Sequence, residues 1–378
     1  MTVLSRLTKQ HFLYLLSLCF SVYLLSHYMG LSSKAVNNVF YLGLAVPCLI
    51  FSLINYRATA ELIKQFYWLF ALVAVVSLLD MQQAKEIKRG LYLLLFFISC
   101  VLVDQGKGRL KYWLLPFSLT CLLMLFYITA DWIWIWSHSA RWIRYSYWLN
   151  VYFHPSFFAM LMCFGLLIGW MLFLGPWLEQ RYQKTGYILG LAVVFMVLGG
   201  MLYRKTHWRR YLPPLLVLLI LLYVFFSYYA GYEFSGRGLT ARDEIWLSTW
   251  NSSTVSVKTF LFGHGAAKAL EAKALSTGQV VYNTHSVYLE ALYRYGAVGL
   301  ALLLVIMLGA LNILYKTIKH HEYGELAVFW LATLVSGSIV MIVELNGLIT
   351  TPNLLWHWLW MPVAFALFCQ VNLNKGTS

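Results

Sequence analysis

Apolar residues run through this chain in long blocks separated by short polar breaks. The blocks fall near 11–29, 36–54, 65–80, 90–104, 112–130, 155–175, 186–203, 212–230, 297–315, 325–345 and 354–372. A helix needs about 20 apolar residues to cross the ~30 Å hydrocarbon layer of a bilayer. The strict apolar/polar alternation of membrane barrel strands is missing, so the blocks are read as helices. The pattern predicts an all-α polytopic membrane protein with roughly 11–12 transmembrane helices and one large periplasmic loop. That loop, 231–285, is the longest stretch that is not apolar. No internal repeat divides the chain, so residues 1–378 are read as a single membrane domain in which 231–285 is embedded.

Orientation follows from the cations beside the spans. Arg6 and Lys9 precede the first block and no small-residue cleavage site follows it, which predicts a retained helix and a cytoplasmic amino terminus. Toward the carboxyl end, Lys316, Lys319 and Lys375 belong inside and Asn346 to Asn353 outside, which places 231–285 on the outer face. Counting eight blocks forward from the amino terminus instead returns the chain to the cytoplasm before that loop. The two counts differ by one crossing, assigned either to the Trp-rich stretch Asp131 to Asn150 or to Tyr203 to Ala230.

Composition supports the membrane reading. Of 378 residues, 61% are hydrophobic, 17% aromatic and 11% charged, against about 25% charged in soluble domains. The net charge of +14 comes from Lys and Arg gathered at block ends, as at Lys107, Arg109 and Lys111. Such cations meet anionic lipid, and no nucleic-acid partner is expected; lipid-linked phosphate substrates would suit the same charge. Cys19, Cys48, Cys100, Cys121, Cys163 and Cys369 lie in or beside apolar blocks without a Cys-x-x-Cys pair, so neither disulfides nor zinc are expected. The pair His320-His321 sits among Lys319 and Glu322, as solvated loop residues do, and no metal is assigned to it.

Candidate chemistry gathers in the polar segment. Arg237 and Arg242 are close in sequence, and Gly236 and Gly238 let the backbone approach a ligand. Two guanidinium groups so placed either grip a pyrophosphate through forked hydrogen bonds or serve as surface charge. Arg242, Trp246 and Trp250 are four apart, which on a helix capped by Thr240 makes one stripe, read as an interfacial anchor. Phe262-Gly263-His264-Gly265 marks a turn, and Ala266 to Leu275 reads as a short amphipathic helix with Lys268, Glu271 and Lys273 outward. Asn283 and Thr284 are both cap residues, so His285 is expected where the next helix starts, with Glu290 and Arg294 as an i,i+4 pair. The positive helix end and partial desolvation disfavour imidazolium, leaving His285 suited to accept a proton; a structural hydrogen bond is its other reading.

Read together, Arg242 to Trp246, Leu261-Phe262-Gly263-His264-Gly265, Thr284-His285-Ser286-Val287-Tyr288-Leu289-Glu290 and Tyr295-Gly296-Ala297-Val298-Gly299-Leu300 resemble the O-antigen ligase and polymerase superfamily of bacterial inner membranes. The likeness is most specific over 235–300 and continues at His154-Pro155. It implies a metal-independent glycosyl transfer on the periplasmic face, from an undecaprenyl-pyrophosphate-linked glycan donor to a sugar hydroxyl, with no cofactor. His285 falls on the family's essential histidine, the base for the acceptor hydroxyl. Arg242 falls on its loop arginine, which holds the pyrophosphate, with Arg237 as a neighbour. Arg204 is the match for a further family arginine, with Arg181 in reserve.

The resemblance leaves three activities in view. A ligase would move the whole glycan to lipid A core in lipopolysaccharide biosynthesis, and this is the favoured reading. A polymerase would join lipid-linked repeat units, and a protein glycosyltransferase would use a serine. A flippase for the same lipid is the non-enzymatic alternative. It is disfavoured because transport calls for ionisable or broken mid-membrane helices, whereas these blocks are almost free of charge.

Overall fold

The computed structural model describes residues 3–27, 31–65, 84–104, 242–265, 280–318, 323–343 and 355–376, with short pieces between 127 and 152, between 268 and 273 and between 348 and 353. The expected spans at 155–175, 186–203 and 212–230 lie outside the described residues, as do nearly all of 65–80 and 112–130 and the pair His320-His321.

The described residues are mostly helical. In chain order they form α1 (Val3–Ser26), α2 (Ser33–Phe40), a π-helical turn (Tyr41–Ala45), α3 (Val46–Ile54), α4 (Tyr56–Gln65) and α5 (Ala84–Asp104). After these come α6 (Arg242–Ser253), α7 (Val257–Phe262), α8 (Val287–Thr317), α9 (Gly324–Val343), a second π-helical turn (Trp356–Trp360) and α10 (Met361–Gly376). The all-α expectation needs one amendment. Two short antiparallel pairings occur, β1 (Tyr147–Trp148) with β2 (Val151–Tyr152) and β3 (Ala272–Lys273) with β4 (Val280–Val281).

The helices show why the chain suits a bilayer. From Ser33 to Ile54 the backbone is continuously helical, with Val36, Phe40, Leu44, Cys48 and Phe51 buried along one stripe. Its opposite face is apolar too: Leu42, Leu53 and Ile54 are 74%, 68% and 75% exposed. In α8, likewise, Leu303, Met307, Ala310 and Leu314 face inward while Val305 and Leu308 are largely exposed. A helix of a soluble protein carries charge on its outer face, whereas one that is apolar all round belongs in a core or in lipid. These two helices, Ser33–Ile54 and Val287–Thr317, are long and apolar enough to cross a membrane, and His11–Ser26 and Ala327–Ile342 are shorter apolar stretches.

Packing joins α8, α9 and α10 to one another, α10 to α5, and α5 to α1 and the first π turn. The shared core is aromatic. Trp356 packs on Phe96 and Phe40 with ring centroids at 4.6 and 5.2 Å, and Phe97 meets Trp360 at 5.8 Å, the tilted and edge-on geometries that aromatic quadrupoles favour. Both π turns precede a proline by two residues, Pro47 and Pro362. Proline lacks the N–H that would bond the carbonyl four residues earlier, and its ring crowds that carbonyl. A turn widened by one residue accommodates this conflict without ending the helix. For Pro362 the carbonyl concerned belongs to Trp358, and it rests against Gly337 of α9, where an added Cβ would lie 2.6 Å from its oxygen.

The core also holds polar groups that hydropathy alone obscures. His27 and His357 are buried with ring centroids 4.6 Å apart, edge-on, beside the ring of Tyr23.

Candidate active site

In the polar segment the described residues form α6, α7 and the β3–β4 pair, with α6 and α7 packed against α8. Helix α6 buries Ile245, Thr249 and Ser253, spaced four apart. Buried hydroxyls on such a face must find acceptors, and they find them in their own helix: Thr249 Oγ1 donates to the Ile245 carbonyl at 2.7 Å and Ser253 Oγ to that of Thr249 at 2.8 Å. Ile245, Tyr293 and Leu270 form a small apolar cluster, with Trp246 and Val281 against it. Helix α7 starts with a reciprocal capping box, Ser256 Oγ accepting from the Thr259 amide and Thr259 Oγ1 from that of Ser256.

Of the amphipathic helix expected over Ala266 to Leu275, the described residues 268, 270, 272 and 273 form no part. Ala272 and Lys273 lie in an extended strand paired with Val281 and Val280. Local helix propensity is a weak preference, and here the buried side chain of Leu270 is satisfied by the Ile245–Tyr293 cluster without a helix.

His285 has φ 51, and among the described residues it alone combines a side chain beyond glycine with positive φ. That conformation costs of order 1–3 kcal/mol and persists only where the surroundings fix it. Three sets of contacts do so. The Thr284 hydroxyl accepts from the Ser286 amide at 3.0 Å and donates to the Ser286 carbonyl at 2.6 Å, closing a side-chain turn around the histidine. On the α9 side, Ser286 Oγ donates to the Met341 carbonyl at 3.5 Å and the Tyr288 hydroxyl to that of Ser338 at 3.0 Å. The sequence offers Thr284 as a helix cap, but the cap position is Ser286, and Thr284 holds the turn before it.

The third contact joins the segments that carry Arg242 and His285. Trp246, one helical turn beyond Arg242, donates its indole N–H to the carbonyl of Thr284 at 3.0 Å. The bond spans 38 residues of sequence and ties the helix that begins with Arg242 to the residue preceding His285. This corrects the picture of a tryptophan stripe that is only a surface anchor: Trp246 is half-buried and turned inward, while Trp250 is 48% exposed. Arg237, Arg204 and the reserve Arg181 lie outside the described residues, as do Thr240 and His154-Pro155.

Helix α8 is broken at Gly296, whose φ 69 and ψ −172 depart from the helix. The break separates Val287 to Tyr295 from the stretch 297–317, which at 1.5 Å per residue is about 31 Å long, one bilayer crossing. It also frees carbonyls at the end of the first piece. Two are capped from the Gly263 turn, the His264 amide donating to Tyr293 at 2.9 Å and the Gly265 amide to Arg294 at 3.0 Å. The two glycines interlock, since a Cβ on Gly263 would strike the backbone of Arg294 and Tyr295, and one on Gly296 the backbone of Leu261 and Phe262. Within the first piece Arg294 Nε pairs with Glu290 Oε1 at 2.7 Å, as the spacing predicts, and Glu290 is buried.

Helices long and apolar enough to cross a membrane, with a folded polar unit packed against the start of one of them, are the features of a helical membrane protein. Residues 182–304 match the family model described as O-antigen ligase, a stretch that contains Arg204, Arg237, Arg242 and His285. Over 88% of its length the chain is 25% identical to a protein named O-antigen ligase from Pseudomonas aeruginosa, 86% of which is covered.

Proposed function

We propose that the protein is an O-antigen ligase of the bacterial inner membrane, transferring a glycan from undecaprenyl pyrophosphate to a sugar hydroxyl of lipid A core at the periplasmic face. One observation carries the reading. The family's histidine position, His285, is held in a strained left-handed conformation and tied through Trp246 to the helix that starts with Arg242. Strain of this kind gathers at functional sites.

In the proposed reaction the acceptor oxygen bonds to the anomeric carbon of the donor glycan while the carbon–oxygen bond to pyrophosphate breaks. His285 takes the acceptor's proton, and undecaprenyl pyrophosphate departs with the electron pair. Arg242 stands in the first turn of α6, where guanidinium and free helix N–H groups both favour an anion. It stabilises the charge growing on the leaving group, with Arg237 and Arg204 as further pyrophosphate contacts. The scheme uses no metal or cofactor, and the pyrophosphate linkage supplies the driving force.

The test is a deletion strain. Loss of the protein should leave long glycan on undecaprenyl pyrophosphate and lipid A core without glycan. His285→Ala should fail to complement while accumulating in the membrane, and Arg242→Ala should impair donor use more than acceptor use. A core capped by a single repeat unit would instead identify a polymerase, and full complementation by His285→Ala would eliminate the proposed base.

A further inference from the structure

Resting on that proposed reaction, we infer that His264 is a positioning residue: its imidazole clamps the far end of the Arg242 helix to the helix that follows His285. Its Nε2 lies 3.0 Å from the Ser252 carbonyl, near the end of α6. A carbonyl oxygen only accepts, so Nε2 carries the proton and donates it. The ring lies against Tyr293 with centroids 4.5 Å apart, and the His264 amide donates to the Tyr293 carbonyl. A single residue therefore holds α6 by its side chain and the first piece of α8 by its ring and its backbone.

The position of this clamp gives it its effect. Helix α6 is tied to the His285 segment near its start by Trp246 on Thr284, and near its end by Ser252 on His264. The Trp246 bond and the packing of Ile245 on Tyr293 both act near the start of α6, and the Ser252 bond adds a hold near its end that fixes direction as well as distance. Arg242 lies one turn before the first tie, so rotation about Trp246 would swing its guanidinium relative to His285. Misplacement of about 1 Å between reacting groups costs roughly a hundredfold in rate. The backbone bonds of the Gly263–Gly265 turn alone cap α8 and do not reach α6, so the imidazole supplies the second tie.

Three substitutions separate the ring from the hydrogen bond. His264→Phe keeps a ring on Tyr293 and loses the donor; His264→Gln keeps an N–H donor at similar reach and loses the ring; His264→Ala loses both. With purified protein, undecaprenyl-pyrophosphate-linked glycan and lipid A core, His264→Phe and His264→Ala should lower kcat about 30-fold with KM for the donor changed less than about twofold. His264→Gln should recover kcat to within about threefold of wild type. Amide hydrogen exchange of peptides within 242–256 should speed up in the Phe variant and not in the Gln variant, a readout independent of activity. Wild-type kcat in the Phe variant, or unchanged exchange in α6, overturns the clamp. Failure of the wild type to transfer glycan, with His285→Ala as the control, overturns the function instead, and the exchange measurement still decides the clamp.

Discussion

Gly296→Ala is a severe small change beside the candidate site, matched by Gly263→Ala on the other side of the same contact. Gly296 has φ 69 and ψ −172, a region that only glycine ordinarily enters, and a side chain there costs of order 1–3 kcal/mol. The added Cβ would also meet the backbone of Leu261 and Phe262, which cannot rotate aside as a flexible side chain would. Overpacking of this kind typically costs a further 1–3 kcal/mol. The sum, about 2–6 kcal/mol, is a large share of the 5–15 kcal/mol that holds a typical domain together. The chain has one cheaper response: residue 296 can turn helical, so that Tyr293 and Arg294 recover their own helical partners and release the amides of His264 and Gly265. The substitution is therefore expected to separate the α7 turn from α8 while the crossing helix survives. Amide exchange with mass spectrometry should show peptides over 261–265 exchanging much faster than in wild type, with peptides from 300–314 unchanged. Thermal unfolding in detergent should show a lower midpoint. Wild-type exchange at 261–265 together with a wild-type midpoint would refute the interlock.

Other substitutions probe separate contacts. Trp246→Phe keeps the ring and removes the N–H that reaches Thr284; losing a neutral bond and orphaning a part-buried carbonyl costs about 1–3 kcal/mol, and transfer should fall at least about tenfold at undiminished protein level. Gly337→Ala places a Cβ 2.6 Å from the Trp358 carbonyl and should lower the unfolding midpoint of detergent-solubilised protein, at a cost of about 1–3 kcal/mol.

The fold was legible in the sequence to the extent that the bilayer dictates it. Lipid demands apolar faces all round, so the blocks at 36–54, 90–104, 297–315, 325–345 and 354–372 coincide with helices whose outward faces need no charge. What the blocks hide is the backbone detail inside them. The π turns at 41–45 and 356–360 depend on a proline two residues later, and a proline in an apolar run reads equally as a kink or as a helix start. Likewise, Gly296 belongs to a phrase that passes for ordinary helix, yet it is the point where α8 breaks. His27 and His357 lie 330 positions apart, and only the contact of their rings, one just after α1 and the other in the second π turn, shows that they are neighbours.

The candidate site divides in the same way. Residue types announced the imidazole of His285, the guanidinium of Arg242 and the Glu290–Arg294 pair, because each depends on local spacing or on chemistry carried by one side chain. The ties that position them are long-range: Trp246 to Thr284 across 38 residues, Tyr288 to Ser338 across 50, Ser286 to Met341 across 55. None leaves a periodic trace. A residue at positive φ inside a polar segment would relax if a single contact held it, because one neutral hydrogen bond contributes about 1 kcal/mol, no more than the strain itself. Several bonds from elements that are themselves anchored make the conformation persist. His285 draws on such bonds through Thr284, Ser286 and Tyr288, reaching α6 on one side and α9 on the other. Removing one of these ties should therefore impair the positioning of His285 before it unfolds the membrane helices, and loss of transfer at unchanged protein level is the signature to expect from each.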